Sequence, residues 1–379
     1  MGLRRRDFLQ WSGGACAVLA GLARGQGSSR LDEEARKSGR RFGFAVNPDY
    51  AEREPVKKLL QQHAGVITAE NAMKWRSIEG ILGGRDYSQA DAVAAIAKVL
   101  NALLRGHTLA WHQSTPNRLA NADPDVFRQE QSAHLQDMVM RYKGRVHTWD
   151  VLNEVIDGDS SANDGMRSSV LSTLWGRDRY PALFEQARDL DPQVKLAYND
   201  YGMEQDDPWC ERRRNAVLRM LENWVKRQTP VDVMGLQAHL ELSRGFSPSR
   251  LSRFFDELKA LGLSIQITEL DVRDSKIGGD VAMRDASVAA LYQEFLDVCM
   301  SHSSVEMVVM WNVTDSDSWV NRRSSGQRRA DGQPMRPLLF DTQGQPKPAF
   351  NATASSLRNA TSNFECPTHR IGTLCSQKS

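Results

Sequence analysis

An excess of charge of either sign is the first thing this sequence lacks: 49 Lys and Arg stand against 47 Asp and Glu, a formal net charge of +2. So even a balance gives no electrostatic footprint for nucleic acid or an anionic membrane surface, and neither is expected as a partner. Beyond residue 27, no run is long and apolar enough to span a bilayer. Cysteine is scarce, five in 379 residues. None lies in a CxxC or Cys/His cluster and no His-x-His pair occurs, so neither a metal nor a cofactor is expected. No Pro-, Gly- or Ser-rich linker interrupts residues 40–355, and no sequence repeat is visible. What stands out instead is tryptophan, nine in all, which fits either a large core or flat stacking platforms in a binding cleft.

The first 27 residues read differently from the rest. Arg4-Arg5-Arg6-Asp7-Phe8-Leu9 leads into a small, glycine-rich and only moderately apolar stretch, residues 13–23. This predicts an export signal of the twin-arginine type, with Arg5-Arg6 as the pair and Gly21 and Ala23 as the small residues of a cleavage site. The expected organisation is a signal over 1–27, one catalytic domain over 28–360 and a C-terminal tail over 361–379. Export would put the mature chain in the periplasm or outside the cell, free of the membrane after signal removal. In that oxidising setting Cys366 and Cys375 would form a small disulfide or remain thiols, whereas Cys210 and Cys299 fall in helical patterns that suit buried free thiols.

Eight short apolar runs recur, at 43–47, 65–70, 103–111, 147–154, 195–201, 233–240, 264–271 and 307–313, each followed by a helical pattern. Several are continuously apolar rather than alternating, as strands buried on both faces of a parallel sheet must be. Helix starts are marked by a Ser88-x-x-Asp91 capping box and by Asp123-Pro124, Asp207-Pro208 and Ser247-Pro248. Val217, Met220, Leu221, Trp224 and Val225 repeat on one helix face, and Gly262 terminates the helix begun at Pro248. The fold class is α/β, and strand–helix alternation eight times over predicts a single (β/α)8 TIM barrel. Residues 321–337, with five Arg, read as a long loop after the last strand.

Catalytic residues of such barrels sit at the C-terminal strand ends. Here the runs end in Asn47, Glu70 with Asn71, His107 with Trp111 and His112, Asn153 with Glu154, Asn199 with Asp200, His239, Glu269 and Trp311. A purely structural barrel, whose core layers want Val, Ile and Leu, needs no such polar ring. Glu154 and Glu269 fit acetal cleavage, which requires one carboxyl to protonate the leaving oxygen and a second to sit ionised beside the developing oxocarbenium ion. Asn153 would bond a sugar 2-hydroxyl, and His239 would bond Glu269 and keep it ionised. Taken singly, each Glu is as well explained by a strand-end ion pair, and His107 and His112 by satisfied buried histidines or metal ligands.

Phe42-Gly43-x-Ala45-Val46-Asn47, Thr68-Ala69-Glu70-Asn71-Ala72-Met73-Lys74-Trp75, Arg105-Gly106-His107-Thr108-Leu109-Ala110-Trp111-His112 and Trp149-Asp150-Val151-Leu152-Asn153-Glu154 follow in order. Then come Tyr198-Asn199-Asp200-Tyr201, Gly235-Leu236-Gln237-Ala238-His239, Ile267-Thr268-Glu269-Leu270-Asp271 and Trp311-Asn312-Val313-Thr314-Asp315 through Trp319. From about residue 40 to 355 the sequence resembles glycoside hydrolase family 10, the barrel endo-1,4-β-xylanases. The resemblance implies a retaining double displacement on xylan or xylo-oligosaccharides, with Glu154 as acid/base and Glu269 as nucleophile. It also implies substrate contacts from Glu70, Asn71, Lys74, His107, Trp111, Asn153, Gln237, His239, Trp311 and Trp319, with Tyr201 on the leaving-group side, and a monomer. Trp175 and Trp224, on helices, suit core packing. The chain departs from the family pattern at Asn312, where many members have glycine, at Gly202, in having only Cys299 where many members carry two cysteines before the eighth strand, and in the longer arginine-rich loop. A glucan-cleaving relative, a metal-dependent barrel hydrolase using His107, His112, His239 and Asp271, and a non-catalytic carbohydrate binder are the other readings.

Overall fold

Uninterrupted apolar runs can satisfy their backbone only by pairing on both sides, and closing the sheet on itself leaves no edge. The structure, a computed structural model, describes residues 30–79, 84–159, 164–322, 325–327 and 329–360. Within them β1 (Arg41–Val46), β2 (Val66–Ala69), β3 (Leu103–Trp111), β4 (Val146–Asn153), β5 (Lys195–Asp200) and β6 (Val233–Leu236) are laid side by side, all parallel. After a break and the short β7 (His239–Glu241) come β8 (Ser264–Arg273) and β9 (Val305–Met310). β6 pairs β8 and β9 pairs β1, which closes an eight-stranded barrel with helices between the strands. The expected signal, the expected tail and Cys366 and Cys375 lie outside the described residues.

The sixth run is the one that does not form a continuous strand. It breaks at Ala238, which adopts a φ of 59°, and the chain resumes as β7, pairing only the end of β8 from His239 opposite Asp271. The freed Ala238 amide donates to Glu204 Oε1 at 2.9 Å. At Gly43, β1 and β2 approach so closely that a Cβ would stand 2.0 Å from the Val66 carbonyl oxygen.

Two further expectations need correction. The capping box at Ser88 does not form: the helix Ser88–Val99 has Tyr87 before it, Asp86 Oδ1 accepts from Ser88 N at 2.9 Å, and Asp91 is bound instead by Tyr142 at 2.9 Å and by Arg141. Ser247 likewise caps nothing with its side chain, whereas Asp123 and Asp207 accept from Asp125 N and Cys210 N, each at 2.8 Å. Gly262 does end its helix, at a φ of 82°, and Cys210 and Cys299 are buried free thiols.

The barrel interior is not purely aliphatic. Arg105 and Asp150, both fully buried, form a two-bond ion pair with a shortest contact of 2.7 Å; Arg105 also donates to Gln266 at 2.6 Å. Every polar atom so deep must be paired to be tolerated. This layer forms a polar floor beneath the C-terminal mouth.

Candidate active site

The strand ends and the loops that leave them enclose a cleft of about 700 Å³. Glu70, Asn71, Lys74, His107, Trp111, Asn153, Glu154, Tyr201, Gln237, His239, Glu269, Trp311 and Trp319 all line it. Every substrate or catalytic candidate drawn from the sequence is therefore brought to one place. Tryptophan's two explanations turn out to divide the residue type. Trp75, Trp149, Trp175 and Trp224 are buried in the core, whereas Trp111, Trp209, Trp311 and Trp319 line the cleft.

Glu154 stands one residue beyond β4, at a φ of 58° that side chains other than glycine rarely adopt. Its amide donates to Asn199 O at 3.0 Å and its carbonyl accepts from Arg167 Nε at 3.0 Å, which fixes this turn. The side chain is thereby thrown across the mouth, where Oε1 accepts from Gln237 Nε2 at 3.0 Å and Oε2 from Trp111 Nε1 at 2.8 Å. Burial pushes the Glu154 carboxyl above its ordinary value; the Gln237 and Trp111 hydrogen bonds oppose this, and the charges of Asp200 and Glu269 add to the rise.

Glu269 projects from β8. Its Oε1 accepts from Asn199 Nδ2 at 2.9 Å, and that same nitrogen lies 2.9 Å from the Asn153 amide oxygen. Gln237 Nε2 in turn reaches Asn153 at 3.4 Å, so a chain of three amides joins the two carboxyl groups. Burial alone would raise the Glu269 carboxyl too. The hydrogen bond from His239 and the positive charge of His107, His239 and Lys74 outweigh burial and hold it below its ordinary value.

His239 Nε2 lies 3.2 Å from Glu269 Oε2, and its Nδ1 is 3.0 Å from Asp271 Oδ1, an ion-pair distance at an angle too poor for a hydrogen bond. Burial works against the imidazolium, but Asp271 and then Glu269 carry the ring up to about 10. Asp271 is itself fixed by Trp319 Nε1 at 2.7 Å. His107 is bound at Nδ1 to Asp150, 2.9 Å away, which anchors it to the polar floor. Trp311 stands edge-on to His107, with ring centres 5.4 Å apart. Lys74 Nζ donates to Asn71 Oδ1 at 2.9 Å and sits 4.7 Å above the Trp111 ring. Burial lowers Lys74, against the pull of Glu269, Glu70 and Glu154.

His112, offered with His107, His239 and Asp271 as a metal set, packs on the edge of Trp111 and is absent from the cleft wall. Burial lowers it to about 4. Among the described residues, no three His, Cys, Asp or Glu side chains converge as metal ligands would.

The cleft also holds residues that the motifs did not single out, among them Glu204, Trp209, Arg244, Arg273 and Arg322. Trp209 follows the Asp207-Pro208 helix start, where nothing but its size marks it. Gly202 makes room for it, at a φ of 74°, since a Cβ there would stand 2.3 Å from the Trp209 ring. Cys210, read as a plain core thiol, borders the cleft as well.

Acetal cleavage asks for one carboxyl that can give up a proton and one that is already ionised. A closed barrel that brings such a pair together from its fourth and seventh strand positions has the architecture of a glycoside hydrolase. Residues 30–356 match the family model for glycosyl hydrolase family 10, and the chain belongs to that family. Endo-1,4-beta-xylanase 3 of Hypocrea jecorina is 31% identical over 337 residues, covering 88% of this chain and 87% of that protein. Exoglucanase XynX of Acetivibrio thermocellus is 28% identical over 330 residues, covering 83% of this chain but only 28% of the longer relative. Xylanase 10B from Thermotoga petrophila, solved in complex with xylobiose, superposes with a TM-score of 0.78 at 27% identity, covering 88% of this chain and 98% of that one.

Proposed function

We propose that this protein is an endo-1,4-β-xylanase that cuts internal bonds of xylan by a retaining double displacement, with Glu154 as acid/base and Glu269 as nucleophile. The observation that carries the reading is the opposite perturbation of the two carboxyl groups within one cleft: Glu154 raised by burial, Glu269 brought down by its cations. In the first step Glu269 attacks the anomeric carbon while Glu154 protonates the departing oxygen. In the second, Glu154 takes a proton from water, which releases the sugar from Glu269. The negative charge of Glu269 in the free enzyme helps to raise Glu154 for its acid role, and loss of that charge when the sugar is attached lowers Glu154 for its basic one.

The supporting residues have separate tasks. His239 keeps Glu269 ionised, and Asn199 orients its other oxygen. Asn153 and Gln237, already within the amide chain, reach the sugar 2-hydroxyl. Trp311 and Trp319 offer stacking surfaces to the glycone sugars, with Glu70, Asn71, Lys74, His107 and Trp111 around them, and Tyr201 borders the leaving-group side. Solved relatives carrying xylobiose and xylotriose support a polysaccharide substrate. The catalytic domain is proposed to span 28–360. The chain is proposed to work as a monomer after export through the twin-arginine-type signal at 1–27; among the described residues, no helix is long and apolar enough to cross a membrane.

The test is a pair of variants on xylan and carboxymethyl-cellulose. Glu269→Gln is expected to abolish turnover of xylan with the fold intact. Glu154→Ala should spare the first step best on substrates with very good leaving groups, which need little protonation. Near-parental activity of Glu269→Gln, or equal losses of Glu154→Ala on good and poor leaving groups, would refute these roles; preference for the cellulose derivative would refute the substrate.

A further inference from the structure

Six hydrogen bonds converge on the buried carboxyl of Glu70. Oε2 accepts from Asn47 Nδ2 at 2.7 Å, Tyr50 OH at 2.8 Å, Asn312 Nδ2 at 2.7 Å and Arg322 Nη2 at 3.0 Å. Oε1 accepts from Asn71 Nδ2 at 3.2 Å and Arg322 Nη1 at 2.5 Å. A carboxyl group offers about four lone-pair sites, so Glu70 is saturated before any sugar arrives. Its task in this chain is to organise its donors.

Two of those donors stand where the chain departs from the family pattern. Asn312 replaces a frequent glycine, and the reason for glycine is visible: the backbone there has a φ of 91°. The asparagine is nevertheless held, because its side chain also meets Tyr50 OH at 2.8 Å and accepts from Trp319 N at 3.0 Å. Arg322 comes from the arginine-rich loop a few residues further on. It closes on Glu70 as a two-pronged fork, and Nη2 also donates to Asp317 O at 2.9 Å. Both departures thus serve one connection, from the loop after the eighth barrel strand to Glu70 at the end of β2. The connection continues inward, since Glu70 holds the Asn71 amide and Asn71 accepts from Lys74, beside Trp111.

We propose that Arg322, which shares Glu70 with Asn312, is a positioning residue that sets selectivity for the glycone sugar lying one unit beyond the bond-cleaving subsite. It locks Glu70 and through it Asn71, while Lys74, which donates to Asn71 and whose charge reaches Glu269, faces the sugar being cleaved. The inference rests on the xylanase reading above. Loss of the fork leaves the chemistry in place and loosens the second glycone site. A lysine at 322 restores the charge without the two parallel bonds, because only a guanidinium matches both carboxyl oxygens at once.

The experiment compares an aryl β-xyloside, which fills one glycone site, with an aryl β-xylobioside, which fills two. For Arg322→Ala, the loss of kcat/KM on the xylobioside is expected to exceed that on the xyloside by about tenfold, as for one charge-assisted hydrogen bond, and to appear mainly in KM. Asn312→Gly should shift the ratio in the same direction and Arg322→Lys should recover less than half of it, with thermal midpoints close to the parent. Equal losses on both substrates, or none on either, would overturn the inference while leaving the xylanase reading intact. A parent enzyme silent on both substrates and on xylan would remove that reading, and this inference with it.

Discussion

Replacing His239 by alanine tests how Glu269 is kept ionised. The ring bridges Glu269 at 3.2 Å and Asp271 at 3.0 Å, and is carried up to about 10, so it is an imidazolium through the neutral range. Its hydrogen bond is the largest of the influences that lower Glu269 against burial. A hydrogen bond from a charged donor contributes about 1.5–3 kcal/mol, and one pH unit corresponds to about 1.36 kcal/mol. Glu269 should therefore rise by about one to two units in the variant. Asp271, left without its cation, adds in the same direction. The sign follows from the protonation state needed: Glu269 acts ionised, so activity is lost as pH falls through its pKa, and a higher pKa moves that loss to higher pH. The assay is kcat/KM on an aryl β-xylobioside across the pH range. The acidic limb should move up by about one to two units, with the alkaline limb, set by Glu154, moving much less. His239→Gln, which keeps a donor but no charge, should give a smaller shift. An acidic limb that stays in place while the rate merely falls would refute the electrostatic role of His239.

Two other perturbations follow from the same geometry. Trp111→Phe removes the indole donor at 2.8 Å from Glu154; this donor favours the ionised form, so the alkaline limb of kcat/KM should move up, by less than about one unit for a neutral hydrogen bond, and an unchanged or lowered limb would contradict it. Arg105→Met strands Asp150 in the barrel floor beneath His107 and should cost about 3–5 kcal/mol of stability in denaturant unfolding, with the paired Arg105→Met/Asp150→Leu change recovering much of it; a single variant as stable as the parent would show that the floor is not held by this ion pair.

The barrel was legible because its two demands leave separate marks in the chain. Strands buried on both faces need unbroken apolar runs, and the mouth needs polar residues at one end of each, so 103–111 and 264–271 announce both a strand and a site. The limits of legibility are equally physical. The break at Ala238 depends on a backbone conformation that alanine does not advertise. Ser88 looks like a cap, but it is the first residue of the helix, and its own amide donates to Asp86. Arg105 reads as an interruption of an apolar run until Asp150 and Gln266 are placed around it. Arg322 gives no local signal at all: its partner Glu70 lies on the other side of the barrel closure, and a loop arginine is ordinarily a solvated charge. Only the departures at 312 and 321–337 hinted that this wall differed, and neither showed that they met at one carboxyl.

Covalent trapping addresses the double displacement directly. A 2-deoxy-2-fluoro xylobioside with a good leaving group slows both steps, the release of the sugar most, so the glycosyl-enzyme should accumulate. One added glycosyl unit is expected in the intact mass, located by peptide mapping on Glu269, with the β-anomer formed first when unmodified substrate is cut. A label on another residue, or no adduct together with α-anomer as the first product, would contradict the double displacement.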